Sequence, residues 1–449
     1  MSIDRRRFLQ ASLGSAALCA LGPNFGVRPW SRALAQVGTD PAKKLLVIFL
    51  RGGNDGLNTC IPYGDPEYNA THRPTIFVPE TSALDLGNGF AALHPALQPL
   101  HELHLLGQLA TIHRVAYDNQ SRSHFDSQQF WENAVPGDNE LDEGWIYRHV
   151  VDTYDLADNP LAAASISARL MVLFQGEVAL PHIFDLATYD LGVPGTASEK
   201  LLGTTGSPGS GVLGWYEQYS GSTHGYDALL ATTGETVGQT LAEIQASGVD
   251  PATYVPENGA TYPNDDDPAG FPATSFPFFR QLRDAVMLLK ATDMRIAAVE
   301  LDGFDTHAGQ GSAAGSQAQL LSWVAHGIRS VSLDMDSTWS DTAVVTLSEF
   351  GRTSKENGSG GTDHAEASCL FVASGSVNGG VYNCDATTWA AGDLFSTPNG
   401  RYVSHRTDYR SVIAEIMAGH FGVANLDAVV PSYSTLATTP SFAPLGLFV

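Results

Sequence analysis

Uninterrupted apolar runs, rather than alternating ones, mark the strands of this chain. Lys44–Leu50 (KLLVIFL), Leu109–Arg114, Arg295–Leu301, Thr342–Leu347 (TAVVTL) and Cys369–Ala373 carry few polar positions, which is how strands buried on both faces of a parallel sheet read. Between them, apolar residues recur at helical spacing over Pro95–Leu106, over Ser123–Ala134 with Ser123 at the N-cap, over Pro277–Ala291 and over Gln317–Leu333. A closing helix, Asp408–Phe421, follows Thr407 as its cap. Strands alternating with helices predict an α/β fold, a mainly parallel sheet sandwiched by helices. Residues from about 141 to 273 break this rhythm with Gly, Ser, Pro and Thr clusters such as GTTGSPGSG and an acidic turn, PENGATYPNDDDPAG. That stretch reads as an irregular cap insertion over the sheet edge, helical over Thr233–Gly248, within a single domain spanning 36–449.

The first thirty-five residues change this picture, because they read as an address rather than as fold. Arg5, Arg6, Phe8 and Leu9 form an RRxFL pattern, a short apolar run covers Ala11–Leu21, and Ala33-Leu34-Ala35 ends the segment as a cleavage site. The expectation is a twin-arginine signal over 1–35, a twin-arginine translocase as partner during export, and a periplasmic or secreted destination. The apolar run is roughly half the length needed to span a bilayer, so no stable membrane anchor is expected. Removing residues 1–35 takes five arginines and one aspartate from a net charge of −24, leaving about −28. A surface that acidic repels polyanions, so nucleic acid is excluded as a partner. Of the cysteines, Cys60, Cys369 and Cys384 would remain. Three are too few for a disulfide framework; Cys369 with Cys384 is the candidate pair, and Cys60 reads as a buried, inert thiol.

The chemistry collects where strands end. Beyond Leu347 come Glu349, Arg352, Asp363 and His364, with a glycine-rich link, Asn357–Gly361, able to fold the last two back toward Glu349. Beyond Leu301 come Asp302, Asp305 and His307, and beyond Leu50 the turn Gly52-Gly53 presents Asn54 and Asp55. Ligand crevices of open α/β sheets lie outside the carboxyl ends of the strands. Carboxylates and imidazoles delivered there from several strands are the donor set of a hard or borderline metal ion. Asp55 also fits an Asx-turn closing its strand. Ser123 reads either as an ordinary N-cap or as a nucleophile held at the positive end of a helix dipole. Arg122 and His124 beside it are placed to bind an anionic substrate, His124 also as a proton donor.

Five segments, LRGGNDGLNTCIPYGDPEY, RSHFDSQ, GFDTHAGQ, SEFGRT and GTDHA, stand in this order behind a twin-arginine pattern, and together they resemble the exported proteins grouped as domain-of-unknown-function family 1501. That family is placed by distant similarity in the alkaline phosphatase and sulfatase superfamily. The resemblance implies an alkaline phosphatase/sulfatase-like fold with one or two divalent metal ions (Zn, Mn, Mg or Ca) at the strand ends, and a nucleophile at a helix start attacking a phosphate or sulfate ester. Carried over by position, it implies metal ligation by Asp55, with Asn54 as an additional ligand, by Asp305 or Asp302, and by His307, Glu349 and His364, with Asp363 preceding the last. It puts the nucleophile at Ser123 and gives Arg352 or Arg122 the remaining ester oxygens. Where the superfamily has an adjacent aspartate and histidine, this chain has Glu349 and Phe350, and phenylalanine cannot ligate a metal. The resemblance therefore implies one intact site, Asp305–His307–His364, beside a weaker oxygen-only site built from Asp55, Glu349 and Ser123.

Two other chemistries are set aside. Cys60-Ile-Pro-Tyr-Gly lacks the arginine of the sulfatase CxPxR motif and lies too near Asp55, and no GxSxG elbow follows a strand. His94, His101, His104, His182 and His420 read as structural. The expected function is an exported metal-dependent hydrolase of small-molecule or glycan phosphate or sulfate esters; the alternative is a non-catalytic periplasmic metal- or glycan-binding protein on the same fold.

Overall fold

The computed structural model describes residues 43–177, 180–189, 225–397 and 399–448. The expected signal segment, 1–35, lies outside them. The described residues divide into two compact units, the larger within 43–141, 256–283 and 299–448 and the smaller within 142–255 and 284–298.

The larger unit is built on the predicted apolar runs. Its strands are β1 (Lys44–Leu50), β2 (Cys60–Ile61), β3 (Leu84–Asp85), β4 (Ala92–Leu93), β5 (Leu109–Ala116), and, after β6 (Ala163–Ser165) of the smaller unit, β7 (Ile296–Leu301, whose first three residues belong to the smaller unit), β8 (Thr342–Leu347), β9 (Ser368–Ser374), β10 (Gly380–Tyr382) and β11 (Thr407–Asp408). They lie in the order β10-β5-β9-β8-β1-β7, with β11 also on β5, while β2, β4 and β3 make a small antiparallel sheet of their own. β1 and β8 pair in parallel from Lys44 opposite Thr342 to Phe49 opposite Leu347, and β8 is buried along its whole length. Their adjacent carboxyl ends therefore release Gly52–Asp55 and Ser348–Arg352 at one rim.

The sheet is mixed, mostly parallel. β9 runs antiparallel to both β5 and β8, a direction the apolar run could not reveal because a strand buried on both faces has the same composition whichever way it points. The β5–β9 register shifts between Ile112 and Val115, where Arg114 takes a φ of 59°. The closing helix begins at Tyr409, with Asp408 rather than Thr407 as its cap, because the Asp408 carboxylate accepts from Arg410 N; both residues also form β11 against β5.

In the smaller unit β6 pairs in parallel with the first residues of β7, Ala163 opposite Ile296 through Ser165 opposite Ala298. Its longest helix, Gly225–Ser247, begins eight residues before the predicted Thr233. No helix among the described residues is long and apolar enough to cross a membrane.

Candidate metal centre

Gly52 and Gly53 turn the chain sharply after β1, with φ of 114° and 83°. Neither tolerates a side chain: a Cβ on Gly53 would enter the Phe350 ring, and one on Gly52 would collide with the Asp305 backbone nitrogen. These close approaches bring the loops after β1, β7 and β8 into one cluster.

At its centre stands Asp305, whose side chain is about half exposed. His307 Nε2 lies 3.1 Å and His364 Nε2 3.2 Å from its Oδ1, and the two Nε2 atoms are 2.9 Å apart. His124 Nε2 approaches Oδ2 from the other side at 3.5 Å. His124, Asp305 and His364 each offer one ligand atom, all within 4.8 Å of one another.

The outer nitrogen of each ring is held by an acceptor. His124 Nδ1 donates to Glu349 Oε1 at 2.9 Å, His364 Nδ1 to the Arg122 carbonyl at 2.8 Å, and His307 Nδ1 to Asp363 Oδ1 at 3.4 Å. A carboxylate or carbonyl only accepts, so the network assigns all three protons to Nδ1 and turns three Nε2 lone pairs inward. Histidines that bind metal are anchored in this way.

Glu349 is fully buried, and its Oε1 also accepts from Gly52 N at 2.8 Å and Gln128 Nε2 at 2.9 Å. Burial opposes its ionisation, but the hydrogen bonds from His124 and Gln128 prevail and hold its carboxyl below the ordinary range. The same His124–Glu349 hydrogen bond raises the His124 pKa. Burial likewise opposes ionisation of Asp305, and the hydrogen bond and charge of Arg352 overcome it. Burial, together with the Arg352 charge, lowers the His364 pKa.

Several residues named from sequence stand elsewhere or do other work. Asp55 is enclosed: its Oδ1 caps the short helix Gly56–Thr59 through Leu57 N and Asn58 N, and Arg73 pairs with it at 2.8 Å while Gln310 Nε2 donates to Oδ2 at 2.7 Å. With both oxygens taken by donors it has the Asx-type role instead of that of a ligand. Asn54 is buried, its Oδ1 accepting from Thr59 at 3.0 Å. Ser123 caps the helix His124–Asn133 through Asp126 N. Arg352 is 1 % exposed and donates to the carbonyls of Gly53 (2.7 Å), Thr362 (3.0 Å), Phe304 (3.0 Å) and Gly52 as well as to Asp305 at 2.6 Å. It braces the rim from within and cannot reach out to an ester. Asp363 stands outside the inner ring, tied to Asn357 and Arg401. The glycine-rich link is fastened by Asn357, which accepts from Ser359 N and Gly361 N and donates to the His307 carbonyl.

With Asp55, Glu349 and Ser123 so engaged, the second, oxygen-only site is not assembled. Phe350 fills the space instead: fully buried, its ring centroid lies 4.8 Å from that of His124 and 4.6 Å from that of His364. His124, read from sequence as a proton donor, belongs to the inner ring. Its signal was its place one residue after an N-cap serine, but nothing local reveals that Glu349 faces it. Arg73, the partner of Asp55, carried no recognisable pattern. His94, His101, His104, His182 and His420 each bond through Nε2 to a backbone carbonyl.

Residues 262–431 match the protein family described as "Protein of unknown function (DUF1501)", which supports that family over the stretch carrying Asp305, His307, Glu349, Asp363 and His364; His124 lies outside it. No curated protein matches the chain.

Proposed function

We propose that the cluster is a single divalent metal centre, with His124, Asp305, His307 and His364 as ligands, serving hydrolysis of a phosphate or sulfate ester. One observation carries the metal: Asp305 Oδ1, His307 Nε2 and His364 Nε2 lie 2.9 to 3.2 Å apart, yet all three present lone pairs. With their ring protons on Nδ1, such a crowd of acceptors is relieved by a bound cation. Around a tetrahedral zinc with ligands at about 2.0–2.1 Å, donor atoms sit roughly 3.3 Å from one another. The Arg352 contact supplies part of the positive charge from one side only. Imidazole and carboxylate fit zinc, manganese or iron better than calcium.

A bound ion supplies Lewis acidity, polarising an ester oxygen and acidifying water. The chain's own residues do the rest. Glu349, Asp363 and the Arg122 carbonyl fix the imidazoles before any ion arrives. Phe350 walls the inner side against water. Arg122, exposed at the rim with Tyr402 accepting its Nη1 hydrogen bond at 2.6 Å, and Arg401, 56 % exposed, offer positive charge to an anionic ester now that Arg352 is committed inward. The reading keeps the export route expected from residues 1–35.

The competing reading, a non-catalytic metal- or glycan-binding protein, is favoured by the engagement of Ser123 in its cap and by the lack of a second cluster among the described residues. Metal analysis of natively exported protein, followed by assay against a phosphomonoester, a phosphodiester and a sulfate ester, separates the two. Stoichiometric metal with turnover of one class, lost in His307→Ala, supports hydrolysis. Metal-loaded protein inert toward all three sinks it in favour of binding.

A further inference from the structure

The three cysteines, which play no part in the metal centre, meet in the core of the larger unit. Cys60 follows the helix Gly56–Thr59, Cys369 is the second residue of β9, and Cys384 comes just after β10. The helix lies so close on β9 that a Cβ on Gly56 would stand 2.8 Å from the Cys369 backbone nitrogen. β5 lies between β9 and β10, with Ile112 opposite Leu370 on one side and Tyr382 on the other. The next residue, His113, is thus level with both cysteine-bearing segments, and its carbonyl accepts from Asn383 Nδ2 at 3.1 Å. The Cys60 thiol is hydrogen-bonded to both other thiols. All three are buried and none is in a disulfide, so the Cys369–Cys384 pair read from sequence is replaced by a trio in which Cys60 is the common neighbour.

Buried thiols are ordinarily inert small hydrophobes. This trio is polarised. Burial pushes the Cys369 and Cys384 thiols up, while hydrogen bonds from Cys369 and Cys384 hold Cys60 well below its ordinary value against the effect of burial. His113 Nδ1 accepts from Arg114 N at 2.7 Å, which leaves the ring proton on Nε2, buried beside Cys60. A thiol whose pKa is lowered by two neighbouring thiols is the arrangement that stepwise thiol oxidation needs, a nucleophile with a resolving partner beside it.

We propose that Cys60, Cys369 and Cys384 form a redox-sensitive modification site in which a hydroperoxide joins Cys60 to one neighbour, Cys369 or Cys384, and the third thiol stays reduced. The Cys60 thiolate attacks one peroxide oxygen; the O–O bond breaks, hydroxide leaves and takes up a proton, and Cys60 becomes a sulfenic acid. The neighbouring sulfur then attacks the Cys60 sulfur, the S–O bond breaks, and the departing hydroxide takes the thiol's proton. Two thiols lose two electrons and two protons, and hydrogen peroxide becomes two molecules of water. Burial excludes bulky disulfide oxidants and admits a small one through local opening. A Cys60–Cys369 bond would fasten the Gly52–Ile61 segment to β9.

The test is a thiol map of the full chain: reduced protein is treated with hydrogen peroxide while folded, alkylated in denaturant and analysed by peptide mass spectrometry, with Cys19 followed separately. The expected map has one disulfide per chain that always includes Cys60, and one alkylated thiol. Cys60→Ala leaves both Cys369 and Cys384 alkylated, and Cys384→Ala still closes Cys60–Cys369. A Cys369–Cys384 bond in the wild-type map overturns the proposal. So do three unmodified thiols at peroxide levels that oxidise the unfolded chain, or thiols that alkylate only after a chelator removes a metal. The wild-type map needs no substitution, so a variant that fails to fold leaves the test intact.

Discussion

Asp55 and Glu349 are both buried carboxylates at strand ends, yet they serve different ends because of what faces them. Asp55 faces Arg73, itself fully buried. Removing one partner of such a pair strands a charge in a medium that cannot solvate it, at a cost of about 3–5 kcal/mol. Arg73→Met is therefore expected to lose that much in denaturant unfolding while keeping the metal stoichiometry of wild type. Loss of metal in that variant would return Asp55 to the ligand set. Glu349 faces an imidazole instead, so Glu349→Gln is expected to fold normally and bind metal about 10- to 100-fold more weakly, as read by competition with a chromophoric chelator. His364→Ala should lose the metal outright.

Among the elements, the helix His124–Asn133 matters most, because its first residue is a proposed ligand and its cap was the candidate nucleophile. If Ser123 only caps, Ser123→Ala costs about 1 kcal/mol of stability and leaves metal content and turnover close to wild type. Near-complete loss of turnover at wild-type metal content would reinstate Ser123 as the nucleophile. The five longer strands, β1, β5, β7, β8 and β9, were legible in the sequence because an unbroken apolar run admits few other fates, whereas the two- and three-residue strands β2, β3, β4, β6, β10 and β11 are too short to leave such a run. The direction of β9 and the bulge at Arg114 were not legible either, since each is decided by a neighbour far along the chain. The strand-end chemistry was legible in part for the same reason: Asp305 and His307 fall just past the apolar run ending at Leu301, while His364 was reached only through the glycine-rich link after Glu349. What composition could not tell was which polar groups point at one another, and that decided Asp55, Arg352 and His124.

For the whole molecule, acid sensitivity follows from histidines buried without charge. Burial lowers the His420 pKa to about 4, against the ordinary 6.5, and does the same to His149 in the smaller unit. The unfolded chain takes up protons from about pH 6.5 downward, whereas folded His420 resists until about pH 4. Its contribution is thus whole above 6.5 and is lost as pH falls through that window, by about 3 kcal/mol at the lower end. Asp55, whose pKa falls below the usual carboxylate value because Arg73 outweighs burial, acts in the same sense at lower pH: its stabilisation is present above about 4 and is lost as pH falls through the depressed value. Denaturant unfolding between pH 7 and 4.5 should show falling stability, with a shallower fall in His420→Gln. An equal slope in that variant would move the origin to other groups. Should metal occupy the centre, adding a chelator at pH 7 should lower the melting temperature of wild type but not of His364→Ala.

The guanidinium of Arg352 grips carbonyls from three separate loops along with Asp305. Such a clasp leaves the loops no independent freedom, so amide hydrogens around Gly53, Phe304 and Thr362 ought to exchange with solvent as one cooperative group. Lysine, a point charge without the flat fork, could hold one loop and would let the others open on their own.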